Sequence, residues 1–211
     1  MPSVPDFTDT ELALLRSLST PIKIQDFLDR LAINHEKQLE SCMSPRMVLK
    51  TRKAHCLEGA LLAATALSLH GERPLLLELS VAPGDQGHAL ALYKRNGYWG
   101  AISKTNHATL RFRDPVYETV RELAISYFHE YFMNATGTKT LRGYTRPFSL
   151  RKFGTSWMTS EKNVWHIAYA LAAAPHRSLL PPENKQYLRK ADRLERKAGR
   201  LIEWPRSHPR T

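Results

Sequence analysis

The sequence predicts an α+β fold, in which a central helix bearing a cysteine packs on a small antiparallel sheet and further helices lie at both ends. Three observations carry this. Residues 56–69 form an apolar run of helical length around Cys56, and an element apolar nearly all round belongs in a core. Asn96-Gly97 separates two apolar runs of strand length, the strongest short-range hairpin signal. Apolar residues at spacings of three and four recur on both sides of this middle segment, which is helical periodicity.

In chain order, Thr8 stands three residues before Glu11, a capping-box spacing, and Leu12, Leu15 and Leu18 follow on one helical face. Thr20-Pro21 opens a second helix with proline at its first position, carrying Ile24, Phe27, Leu28 and Leu31. Ser44-Pro45 starts a short basic turn or helix through Met47, Val48 and Leu49. The Cys56 helix follows and stops at Gly71. Residues 74–81 read as a buried strand, 83–87 as a loop and 88–93 as a second strand. Tyr98 to Ser103 is its hairpin partner, and Thr109 to Arg113 is placed as a third strand, ended by Asp114-Pro115.

From Val116 to about Phe132 the spacing of Val120, Leu123, Ala124, Tyr127 and Tyr131 predicts a helix. Residues 136–156 hold Gly, Pro and Arg without a period, and nothing is assigned there. Thr159 or Ser160 caps a helix through Trp165, Ala168 and Leu171. Pro181-Pro182 marks a boundary between a single domain, residues 1–180, and a basic helical tail, 181–211. In that tail Tyr187, Ala191, Leu194, Ala198 and Leu201 form a heptad-like seam, expected to be removable without unfolding the domain. The seam is expected to dock on the domain or to meet a protein partner or nucleic acid.

At 211 residues with 42% hydrophobic side chains, the chain can bury a core. Intrinsic disorder is excluded on that count. No apolar run approaches the ~20 residues of a membrane helix, and the first residues lack the basic-then-apolar pattern of a secretory signal. Cys42 and Cys56 are the only cysteines, too few for a disulfide framework, so a reducing cytoplasm is expected. Neither cysteine has histidines at metal-ligand spacing, and no metal or other cofactor is expected. The net charge of +11 is concentrated in residues 46–53 and after Asn184. It raises nucleic-acid binding as one function class, although a basic surface alone gives only unspecific attraction.

The chemistry centres on Cys56. A thiol becomes nucleophilic when it ionises, and a helix N-terminus favours thiolate. Arg52, Lys53 and His55 just precede it. Unpaired N–H groups of the first helical turn suit a developing oxyanion. His88 opens an apolar strand after a Gly-rich turn, and a Cys–His pair supports nucleophilic catalysis. A two-residue loop at Asn96-Gly97 pairs residues whose numbers sum to 193. This puts His88, Leu90, Leu92, Trp99, Ala101, Ser103 and Thr105 on one sheet face, the face expected to pack on the Cys56 helix. The imidazole also needs an orienting group. Ser103 and Thr105 have the register, but a freely rotating hydroxyl fixes a tautomer poorly. Asn106, just beyond the paired strand, is therefore placed first and Asp114 second.

His55-Cys56-Leu57-Glu58-Gly59-Ala60 leading a helix, Gly87-His88-Ala89-Leu90-Ala91-Leu92 leading a strand, and Trp99-Gly100-Ala101-Ile102-Ser103 after it resemble the transglutaminase-like branch of the papain-like cysteine superfamily, as a bacterial branch of it. The resemblance covers residues 46–117. It implies Cys56 as nucleophile, His88 as base, and a papain-like core acting on peptides or other amides by hydrolysis, acyl transfer or crosslinking. The family usually places Asp after the tryptophan of the third motif. Here Ser103 stands on that strand, Asn106 follows soon after and Asp114 further on. The leading expectation is a cysteine-dependent amide hydrolase or acyltransferase. The alternatives are a degenerate binding module on the same fold and a basic nucleic-acid-binding protein.

Overall fold

In the computed structural model of the chain, residues 5–35 and 41–202 are described. Three short helices come first: α1 (Asp9–Ser17), α2 (Pro21–Asp29) and α3 (Pro45–Thr51). Each starts where its cap residue predicts. The Thr8, Thr20 and Ser44 hydroxyls accept from the backbone N–H groups of Glu11, Lys23 and Met47, satisfying donors that have no partner within the helix. Two two-residue strands, β1 (Ala32–Ile33) and β2 (Lys53–Ala54), pair in parallel beside them.

The helix α4 (Cys56–Leu69) is buried continuously from Glu58 to Leu67. It packs on α1, α2 and α3 on one side and on the sheet on the other. The sheet contains β3 (Leu75–Val81), β4 (His88–Arg95), β5 (Tyr98–Ile102), β6 (Arg113–Tyr117), β7 (Leu141–Thr145), β8 (Phe148–Ser149) and β9 (His176–Ser178). Its strand order is β6-β5-β4-β3-β7-β9, with β8 also on β3, and every pairing is antiparallel. Between these strands lie α5 (Val120–Ile125) and α6 (Trp165–Ala172), and α7 (Arg193–Gly199) follows the last strand. The fold is thus mixed α+β.

The hairpin register is the predicted one. Ala91 pairs with Ile102 and Leu92 with Ala101, around Asn96 and Gly97 with φ of 49° and 91°. Two positive φ values in succession are what a type I′ turn demands. The face toward α4, however, is the opposite of the expected one. Ala89, Ala91, Tyr93 and Ile102 share a core with α4, whereas Leu90, Leu92 and Ala101 pack with Leu123 and Tyr127 of the α5 segment. Residues 88–93 are buried on both faces, so hydrophobicity does not say which face takes which helix. Size does: the alanines let the alanine-rich α4 approach closely.

Three other elements differ from expectation. The third strand lies at Arg113–Tyr117 and includes Asp114-Pro115. It is the edge strand, where a proline that cannot donate to a ladder is tolerated. The helix after it is only Val120–Ile125, followed by a 3-10 turn at Phe128–Glu130. The next helix starts at Trp165, because the Ser160 hydroxyl accepts from Lys162 N–H in a local turn instead of capping.

The tail is not one helix. A 3-10 segment, Pro182–Tyr187, gives way to extended chain before Asp192 caps α7. The proposed seam is mostly outside: Tyr187, Leu194 and Leu201 are 78%, 77% and 61% exposed. Docking runs through small residues and polar groups. Ala191 N–H donates to the Gly137 carbonyl at 2.8 Å, Gly199 lies against Phe132, and Arg196 donates to the Asn134 and Ala135 carbonyls. Charge outnumbers apolar contact here, so sequence spacing misidentified the buried side. Residues 203–211 of the expected tail lie outside the described residues.

The basic stretch 46–53 is largely engaged within the domain. Arg46 pairs with Glu11 at 3.1 Å, Lys50 approaches Glu161 at 3.8 Å, and Arg52 lies over the Phe27 ring. No helix among the described residues is long and apolar enough to cross a membrane.

Candidate active site

Cys56 is the first residue of α4 and His88 the first of β4. The helix start and the strand start meet at a polar cavity of about 620 Å³, lined by His55, Cys56, His88, Asn106, His107 and Tyr131 among others. Gly87 precedes His88 with its Cα close to β3: a side chain there would meet the Leu79 carbonyl at 3.0 Å. That close approach brings the loop into the strand and sets His88 at its head. His55 and His88 line the cavity together with Cys56. Burial raises the Cys56 pKa, but interaction with these two imidazoles, by hydrogen bonding and by charge, outweighs it and holds the thiol well below its ordinary value.

The group orienting His88 is Ser103. Its Oγ lies 2.8 Å from His88 Nε2. The same hydroxyl donates to the Leu110 carbonyl at 2.5 Å. A hydroxyl has one proton. With that proton committed to Leu110, Ser103 can only accept from His88, so Nε2 carries hydrogen and Nδ1 is left for Cys56. Ser103 is itself held by Gln25, whose side chain accepts from Ser103 N–H at 2.9 Å and donates to Ser103 carbonyl at 2.8 Å. Leu110 sits at φ 60°, a left-handed conformation unusual for a non-glycine residue. Glu130 holds it there by accepting from Leu110 N–H at 2.7 Å, and Arg113 pairs with Glu130 at 2.6 Å.

Asn106 and Asp114 do not take this place. Asn106 lines the cavity, but the hydrogen bond to His88 Nε2 is made by Ser103. Asp114 is an exposed residue of the edge strand β6. The objection to a hydroxyl was that it rotates, and a second acceptor removes that freedom. Nothing local in sequence announces the acceptor, because it is a backbone carbonyl seven residues away.

The second histidine was legible only as a nearby charge. His55 is the N-cap of α4. Its Nε2 lies 3.2 Å from the Ser41 carbonyl, which can only accept, and 3.4 Å from Glu58 Oε1. Glu58 is fully buried, yet well satisfied. It accepts from Met43 N–H at 2.8 Å, Ser41 Oγ at 2.9 Å, His55 N–H at 2.9 Å and Asn34 Nδ2 at 3.2 Å. A buried carboxylate needs that many partners. Burial disfavours charge on His55, but the Cys56 and Glu58 interactions and the Ser41 carbonyl prevail and push its pKa up to about 9. The signal that could have found the pair is one acid in an otherwise apolar helix, three residues after a histidine.

Among the described residues no group of three or more His, Cys, Asp or Glu side chains is placed to hold a metal ion. A comparison with protein-family models gives no match, and a comparison with curated proteins gives none either.

Proposed function

We propose that the protein is a cysteine-dependent amide hydrolase or acyltransferase of papain-like, transglutaminase-like architecture, with Cys56 as nucleophile, His88 as proton carrier and Ser103 as the group that orients His88. The observation that carries this reading is the committed Ser103 proton. It leaves His88 with one nitrogen fixed and the other toward a thiol of depressed pKa, the division of roles that nucleophilic catalysis requires.

The steps follow from the geometry. Cys56 thiolate adds to the carbonyl carbon of an amide, and the carbonyl π electrons move to oxygen. N–H groups of the first α4 turn suit that oxyanion. As it collapses, the C–N bond breaks and His88 Nδ1 gives its proton to the leaving nitrogen. Water, or an amine in acyl transfer, then adds to the thioester while His88 Nδ1 takes its proton. The C–S bond breaks and Cys56 returns as thiolate. No atom changes oxidation state in these steps, and His88 carries the proton in both directions.

A degenerate binding module is the second reading, favoured by a hydroxyl where the family usually has a carboxylate or amide. Incubation with a panel of peptide and simple acyl amides, followed by mass spectrometry of the intact chain, separates the two. The enzyme reading expects an acyl mass increment confined to Cys56 and turnover lost in Cys56→Ala. A Cys56 that neither acylates nor alkylates rapidly at neutral pH overturns it.

A further inference from the structure

Cys56 has two imidazoles, and catalysis as proposed uses one. His55 faces a different set of partners from His88. Its Nε2 addresses a carbonyl that can only accept and a buried carboxylate, and His55 adjoins Cys56 in the same cavity. An imidazole whose Nε2–H is held by a carbonyl and a carboxylate is favoured as the cation. His88 has no carboxylate on Nε2, only a hydroxyl.

We propose that His55, paired with Glu58, is the standing cation that keeps Cys56 a thiolate, and that His88 is thereby released to carry the proton of the reaction. The proposal rests on the reading of Cys56 as nucleophile. In a simple Cys–His pair one imidazole has both tasks: it holds the thiolate at neutral pH and it carries the proton of the reaction. Here the ion pair is Cys56 with His55, and Glu58 supplies the counter-charge that fixes it. The acylation step consumes the His88 proton and the second step restores it, while His55 gains and loses nothing.

Of the other charged or titratable groups that line the cavity, His35 is exposed, Asp85 accepts from the Thr140 hydroxyl and Glu130 is paired with Arg113. Lys104 lines the cavity, but its ammonium donates to the Leu28 and Leu31 carbonyls at 2.8 and 2.6 Å. Glu78 on β3 and Tyr131 feel the Cys56 charge as like charges, and burial, the larger cause, raises both pKa values. His107, across the cavity, has its pKa lowered chiefly by burial. The elevated pKa of His55 agrees with the geometry.

The test needs no substrate. Alkylation of Cys56 by iodoacetamide, sited by mass spectrometry, is measured from pH 3 to 10 in the wild type, His55→Asn, His55→Lys and His88→Asn. The wild type is expected to react with an inflection well below the free-thiol pKa of about 8.5, and His88→Asn to raise that inflection less than His55→Asn does. His55→Asn is expected to move the inflection up and slow reaction at pH 6 by tenfold or more. His55→Lys, which restores a cation, recovers part of that loss, which a merely structural role would not do. Thermal unfolding of each variant shows whether it is folded. If His88→Asn moves the inflection to the free-thiol range while folded His55→Asn or His55→Lys leaves it in place, the proposal is overturned and the proposed function stands. A wild-type Cys56 with an ordinary inflection overturns both.

Discussion

The two histidines at Cys56 are held in opposite ways. His55 is fixed by its own neighbourhood: the cysteine beside it, an acid three residues on, and a carbonyl fourteen residues back. His88 is fixed by groups drawn from the whole middle of the chain: Ser103, then Leu110 and Gln25, then Glu130. The first arrangement ends on a buried carboxylate and favours a charge that stays. The second ends on a hydroxyl and favours a proton that moves. Proximity to the thiol is shared, so what each ring touches on its far side assigns its role.

The largest expected effect that sharpens this contrast is on turnover. Replacing His88 by Ala is expected to lower turnover about 10²–10⁴-fold, the usual contribution of general acid–base catalysis, while alkylation at pH 6 persists. A parallel loss of both would erase the distinction between the rings.

The next effect is on stability. Gly59 lies in the first turns of α4, where an added Cβ would meet Lys104 Cβ at 2.4 Å. Because Lys104 adjoins Ser103, Gly59→Ala presses the two halves of the site apart. It is expected to cost ~1–3 kcal/mol by overpacking, read as a lower denaturant midpoint with unchanged slope. Unchanged stability would mean that the halves are not rigidly coupled.

Ser103→Ala is expected to lower turnover about five- to tenfold, on the order of one hydrogen bond, and to leave the alkylation inflection unmoved. Asp114→Ala is expected to change turnover by no more than about twofold, as for a surface substitution. A larger loss for Asp114 than for Ser103 would return the orienting role to the carboxylate.

Alkylation against pH adds a check with a definite sign. Reactivity of Cys56 is expected to appear as pH rises through its depressed pKa and to stay on a plateau when His55 deprotonates near 9, because the thiolate does not regain a proton at higher pH. A rate that rises only in the free-thiol range, at about 8.5, would contradict the depressed pKa.

Much of the scaffold was legible because its signals are local. Thr8 with Glu11, Thr20-Pro21 and Ser44-Pro45 announced three helices, and Asn96-Gly97 fixed a register to the residue. Cys56 and His88 could be brought together in advance because each begins an element, where side chains are free to reach beyond it. Their meeting did not depend on the sheet face, which was assigned the wrong way round. What escaped was non-local. β7, β8 and β9 acquire meaning only from pairing with β3 or each other, and Pro115 looked like a terminator until the strand was known to be an edge. Of the tail's anchors Ala191 stood in the expected seam, but Gly199 has no side chain to register in a periodicity, and the larger seam residues Tyr187, Leu194 and Leu201 face outward.

The last link holding His88 is a main-chain oxygen, that of Leu110. Any amino acid that tolerates the left-handed φ and keeps its N–H for Glu130 brings the same atom to that position, so within that limit the identity of residue 110 can drift without altering what Ser103 is given to bond. The distance along the chain from 103 to 110 has no such latitude. One residue inserted or removed there would carry a different carbonyl to Ser103 or none. The orienting device is therefore inherited as a length, and kinship at this site should be sought in the spacing between the strand end and that carbonyl as much as in the letters between them.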